Sequence, residues 1–162
     1  MLWNGVTNMS TLNTSKPDLF TRHTSKCTNC QKCIVSKENR STHKAHNVNQ
    51  KHIRHYQLDG QIFPRGTQSV CDYILLDDTE KKAYLIELKG RNTEDAIPQI
   101  EKSERAVKSY LPGYVFFYRI VFSGSGTHRL AKTALARWKE KHGKRNDVVV
   151  ASYGRSIYEE EI

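Results

Sequence analysis

The stretch CDYILLDDTEKKAYLIELKG, residues 71–90, does most to narrow what this chain can fold into. Two apolar runs flank a polar turn, so the segment reads as an antiparallel β-hairpin. With the turn centred between Thr79 and Glu80, residues whose numbers sum to 159 face each other, and Asp72 stands opposite Glu87. Direct partners share a face with Cβ atoms roughly 4.5–5.5 Å apart. The two-residue side-chain period puts Lys89 on that face as well. Two opposed carboxylates repel, so a hairpin built for structure alone avoids the arrangement. A divalent cation removes the objection: oxygens of Asp72 and Glu87, the main-chain carbonyl of Leu88 and water together suit Mg²⁺, or Mn²⁺ in its place. Lys89 can then orient or help deprotonate a water, or stabilise charge on a phosphate. Tyr84, Ile86 and Leu88 face the other way, into a core.

The flanking segments extend this into a domain. HIRHYQLDG, SVCDYILL and KAYLIELKG are strand-like runs bounded by turn residues. NTEDAIPQIEKSERAVKSYL has helical spacing, with Asn92 or Thr93 as cap and Ala96, Ile100, Val107 and Tyr110 on one side. Pro98 either kinks its first turn or marks a start near Ile97. YVFFYRIVF predicts a strand covered on both faces, HRLAKTALARWKEKHG an amphipathic helix ended by Gly143, and DVVVASYG a last buried strand. The order predicts an α/β domain over 51–162: a β-meander, then helix, strand, helix, strand on one mixed central sheet. Residues 1–50, rich in Ser, Thr, Asn and Lys without periodicity, read as a polar, basic, loosely structured arm.

Asp72, a fourteen-residue gap and then Glu87-Leu88-Lys89, followed by helix and strand in this order, resembles the PD-(D/E)xK nuclease superfamily, the restriction-endonuclease-like phosphodiesterases. The resemblance covers residues 50–125 or so, about half the chain, with Cys71 where the superfamily's name has proline. It implies a restriction-endonuclease-like core, Asp72 and Glu87 as metal ligands, Lys89 as the catalytic lysine, and hydrolysis of phosphodiester bonds in DNA. Gln99 resembles the glutamine that lambda-exonuclease-like and RecB-like branches place near their active sites, although Ser103 stands where those branches have tyrosine. Asp59, in QLDGQ, reads equally as a third acidic ligand and as an Asp-Gly turn. Glu38 is a further candidate, by analogy with the N-terminal helix carboxylate of many members. Asp77 and Asp78 read as a turn pair.

Charge favours the same partner. The chain carries a net charge of +9, and its basic residues cluster. Phe20 to Tyr56 holds eight Lys or Arg against one acid, and Thr127 to Asn146 holds seven against one. Polyanions, DNA foremost, are the expected partners, with Lys26, Lys32, Arg129, Lys132 and Arg137 on the backbone and a solvated basic face as the plainer reading. Cys27, Cys30 and Cys33 form CxxCxxC, with His23, His43 and His46 nearby. That spacing fits a structural Zn²⁺ site, or reduced thiols in the arm; an iron–sulfur cluster would need Cys71 as its fourth ligand. No apolar run approaches bilayer length and the start lacks an export pattern, which predicts a cytoplasmic protein with no membrane partner. One active site per chain implies a homodimer for a double-strand break. The competing function is a catalytically inactive nucleic-acid-binding or protein-interaction module on the same fold, or, less favoured, a zinc-stabilised adaptor.

Overall fold

The computed structural model describes residues 17–89, 95–122, 132–142, 148–151 and 157–162. In chain order the strands are β1 (Cys33–Glu38), β2 (Ser41–His46), β3 (Ile53–Gln57), β4 (Tyr73–Asp77) and β5 (Lys82–Lys89). Helix α1 (Ala96–Val107), β6 (Val115–Phe122), α2 (Lys132–Lys141), β7 (Val148–Ala151) and β8 (Ile157–Glu161) follow. They form a five-stranded mixed sheet in order β3-β4-β5-β6-β7 and a three-stranded mixed sheet in order β1-β2-β8. The meander β3-β4-β5 is antiparallel, and β5, β6 and β7 are parallel. This is the expected α/β succession.

The β4–β5 register matches the sum rule, with Tyr73 opposite Ile86 and Ile74 opposite Leu85. Asp77 and Asp78 shape that turn. Asp77 accepts hydrogen bonds from the amides of Thr79 and Glu80 at 3.0 and 2.9 Å, and Asp78 takes the Arg54 guanidinium through two oxygens at 2.6 and 2.9 Å. Both faces of β5 are covered, which is why its sequence is nearly unbroken apolar. Ala83 and Leu85 pack with Ile74, Leu76, Ile100, Val107 and Ile120 beneath α1. Tyr84, Ile86 and Leu88 pack with Ile34, Ala45, Ile53, Leu75 and Val121 under the second sheet. At about 1.5–3 kcal/mol for each fully buried aliphatic side chain, these two layers hold β5 as a rigid support. Helix α1 starts at Ala96, so Pro98 lies in the first turn, where its missing N–H removes no intrahelical bond. Its buried residues are Ala96, Ile100, Ser103 and Val107; Ser103, rather than Tyr110, completes the stripe.

The stretch read as a loose arm needs correction: residues 33–46 are a β-hairpin. Its inward residues are Ile34, Ser36, His43 and Ala45, all buried. Two are polar, so the alternation that marks a strand is hidden in the sequence. Their polarity is satisfied in place: Ser36 Oγ lies 2.9 Å from His55 Nε2, and His43 Nε2 lies 2.7 Å from Glu160 Oε1. Strand β8, also unforeseen, pairs parallel with β2 through Thr42–His46.

His55 is 2% exposed and stacks on Tyr73 with ring centroids 5.2 Å apart. Burial, helped by the charges of His43 and Lys26, holds its imidazole down to about 4, against ~6.5 in an unfolded chain. Between those values the unfolded chain binds a proton that the folded chain does not, so the stability His55 contributes is complete above pH ~6.5 and is lost as pH falls towards 4. Thermal melts across this window should show the midpoint falling with acid, with a flatter profile for His55→Phe. An equally steep profile in that variant would assign the acid lability to other groups.

Candidate active site

The site lies at the end of β5, where three elements meet. Asp72 immediately precedes β4, and its carbonyl accepts the Leu58 amide at 2.8 Å, which ties it to the end of β3. Its Oδ2 accepts the Leu88 amide at 2.7 Å, across the hairpin. Glu87 is 1% exposed and takes Lys89 Nζ on Oε1 at 2.7 Å. Its other oxygen, Oε2, is buried with no hydrogen-bond partner. Asp72, Glu87 and Lys89 therefore converge as the register requires. The contact made by Leu88 is through its amide, while its side chain fills the core on the opposite face.

The electrostatics record the crowding. Burial, then the opposed Asp72, push the Glu87 carboxyl up to about 8, against the pull of Lys89. Burial also raises Asp72 to about 6; the Leu88 amide works against this, and Glu38 and Asp59 add to it. Near neutral pH the pair holds about one proton between them, and a divalent cation would take that proton's place. Glu38 and Asp59 thus stand within electrostatic reach of Asp72. Glu38 ends a strand, not a helix, and Asp59 sits in a turn whose Gly60 amide bonds the Phe63 carbonyl at 2.7 Å.

Two serines brace the site. Ser41, at the start of β2, donates to the Lys89 carbonyl at 2.7 Å. Ser103 accepts the Cys71 amide at 2.6 Å and donates to the Gln99 carbonyl at 2.7 Å, fastening α1 to the residue before Asp72. Only the spacing from Gln99 marked Ser103 in the sequence, and nothing marked Ser41. Gln99 Oε1 is a second buried oxygen with no partner. Unpartnered buried oxygens are costly, and hard oxygen donors are what Mg²⁺ selects, so the donor set fits the expected cation.

The remaining candidates are placed elsewhere. The Cys27 thiol is buried and directed at the Ile53 carbonyl at 3.5 Å, Cys30 is exposed, and Cys33 opens β1. Cys71 belongs to the opposite core layer from Cys27, so the two do not share a site. Burial, with Glu87 adding to it, pushes the Cys71 thiol well above its ordinary value. His43 is committed to Glu160, and His46 lies 2.9 Å from Glu159. Among the described residues no three His, Cys, Asp or Glu side chains form a ready-made metal cluster. Lys26, Lys32 and Arg137 are exposed, Lys132 opens α2, and Arg129 lies outside the described residues. No described helix is long and apolar enough to cross a membrane.

Comparison with known proteins finds no matching family model, and neither a curated protein nor a solved structure matches the chain significantly.

Proposed function

We propose that the chain is a metal-dependent nuclease with a restriction-endonuclease-like core, hydrolysing phosphodiester bonds in DNA. The observation that carries this reading is the opposed Asp72–Glu87 pair with Lys89 on the same strand end and a buried Glu87 oxygen left unpartnered. Asp72 and Glu87 would hold a Mg²⁺ or Mn²⁺ ion, with Gln99 beside them. The bound ion supplies Lewis-acid chemistry, offsetting phosphate charge and lowering the pKa of water. Lys89, once Glu87 is otherwise engaged, has its ammonium free to orient the attacking water or to stabilise negative charge on a phosphate oxygen. The two core layers beneath β5 keep these groups in place, and the Ser41 and Ser103 bonds fix the strand ends that carry them.

The test is cleavage of linear and circular duplex DNA, single-stranded DNA, RNA and a four-way junction with Mg²⁺, Mn²⁺ or EDTA, comparing wild type with Glu87→Gln. Glutamine copies the protonated carboxyl that Glu87 holds near neutral pH, so the metal-free variant should melt at or slightly above the wild-type temperature. Its cleavage and its stabilisation by Mg²⁺ should be lost together. Intact nucleic-acid binding with no cutting of any substrate by the wild type under either metal would make the protein a binding module instead.

A further inference from the structure

Resting on the phosphodiesterase reading, we propose that the cavity between the β3–β4 loop and α1, lined by Gln68, Ser69, Lys102, Arg105 and Ala106, is a subsite for a backbone phosphate of the polynucleotide, beside the one cleaved. The cavity encloses about 410 Å³ and opens to solvent. Its polar lining is two cations, an amide and a hydroxyl, with no acid: all four can donate to phosphate oxygens.

The cations on this wall are left unneutralised by design of the helix. The two acids of α1 are engaged elsewhere: Glu101 pairs with Lys141 at 3.2 Å, and Glu104 pairs with Lys108 at 3.4 Å and accepts the Tyr118 hydroxyl at 2.7 Å. Lys102 and Arg105, three residues apart and so on one helix face, have no ion-pair partner among the described residues. The exposed surface of a strongly basic chain ordinarily pairs such groups or spreads them. Here they line one concave wall opposite Gln68 and Ser69.

The cavity is also coupled to the carboxylate pair. Ser69 precedes Asp72 by three residues, a reach of at most ~10 Å, or about three nucleotides along a strand at 3.4 Å each. The Cys71 amide is bonded to Ser103, the neighbour of Lys102, at 2.6 Å. The loop is therefore pinned to the helix between the two places, and a strand lying across Asp72 and Glu87 continues over this wall. Contacts of this kind position the backbone without reading sequence.

The experiment measures affinity for labelled duplex and single-stranded oligonucleotides in EDTA across a range of salt, so that cleavage plays no part. It compares wild type, the double variant Lys102→Ala/Arg105→Ala, and Lys108→Ala as a charge-matched control on the same helix. The double variant should weaken binding of all sequences alike. Its slope of log K against log salt should be shallower by about 1.8 for duplex or about 1.4 for single strands, while the control keeps the wild-type slope. A double variant with wild-type affinity and slope overturns the subsite. So does loss of inorganic phosphate binding alone, which would assign the cavity to the free anion. Cleavage assays on the same proteins separate the two readings. A shallower slope in a protein that cuts nothing keeps the subsite and removes the nuclease. An unchanged slope in a protein whose cleavage needs Glu87 keeps the nuclease and removes the subsite.

Discussion

Lys89→Ala is expected to lower metal-dependent cleavage by about 10²–10⁴-fold, the range for losing one positioned acid–base or charge-stabilising group. Two separable effects contribute. The ammonium lies 2.7 Å from Glu87 Oε1 and is among the groups that hold the Glu87 carboxyl down against burial and Asp72. Without it Glu87 keeps its proton to higher pH, so the cation must compete with that proton and apparent Mg²⁺ affinity falls. This part is recoverable at saturating metal and alkaline pH. The loss of the group that faces the attacking water or the phosphate is not, so kcat should stay low there. Measuring kcat against Mg²⁺ concentration at neutral and alkaline pH distinguishes them. Full recovery at high metal would reduce Lys89 to a partner that sets the charge of Glu87.

The largest stability effect should come from the far side of the sheet. Glu160 on β8 accepts Arg119 Nε at 2.7 Å and Nη2 at 2.8 Å, and lies 2.7 Å from His43 Nε2. Arg119 is 4% exposed, with its guanidinium over the rings of Tyr84 and Phe117. Burial works against ionisation of Glu160, yet hydrogen bonds from His43 and Arg119 hold its carboxyl below the ordinary value. Removing one partner of a buried ion pair typically costs about 3–5 kcal/mol, because the other charge stays desolvated. Glu160→Ala should therefore lower the midpoint of thermal unfolding by roughly 10 °C for a chain of this size. Since β8 is held to β2 and to β6 through this residue, the variant should also expose the three-stranded sheet to hydrogen exchange before the five-stranded one. A cost below about 1 kcal/mol would place the cluster among the screened surface pairs.

The sequence by itself determined the elements whose burial is apolar. The hairpin register followed from the polar turn between two apolar runs, and with it the convergence of Asp72, Glu87 and Lys89, because a side-chain period of two leaves no freedom once the turn is placed. Helix α1, strand β6, helix α2 and strand β7 were legible for the same reason: their periodicity is written in Ile, Val, Leu and aromatic residues. What only the tertiary structure decided was the second sheet. β1, β2 and β8 turn Ser36, His43 and Glu160 inward, and these residues are compatible with burial only because His55, Arg119 and one another complete their hydrogen bonds from distant parts of the chain. No local pattern can announce a partner more than a hundred residues away. The same holds for the site's surroundings. The approach of Glu38 to Asp72, the Ser41 bond to the Lys89 carbonyl and the unpaired wall of Lys102 and Arg105 depend on how hairpin, strand and helix pack. A sequence records which groups are charged, and packing decides which of them are left without a partner.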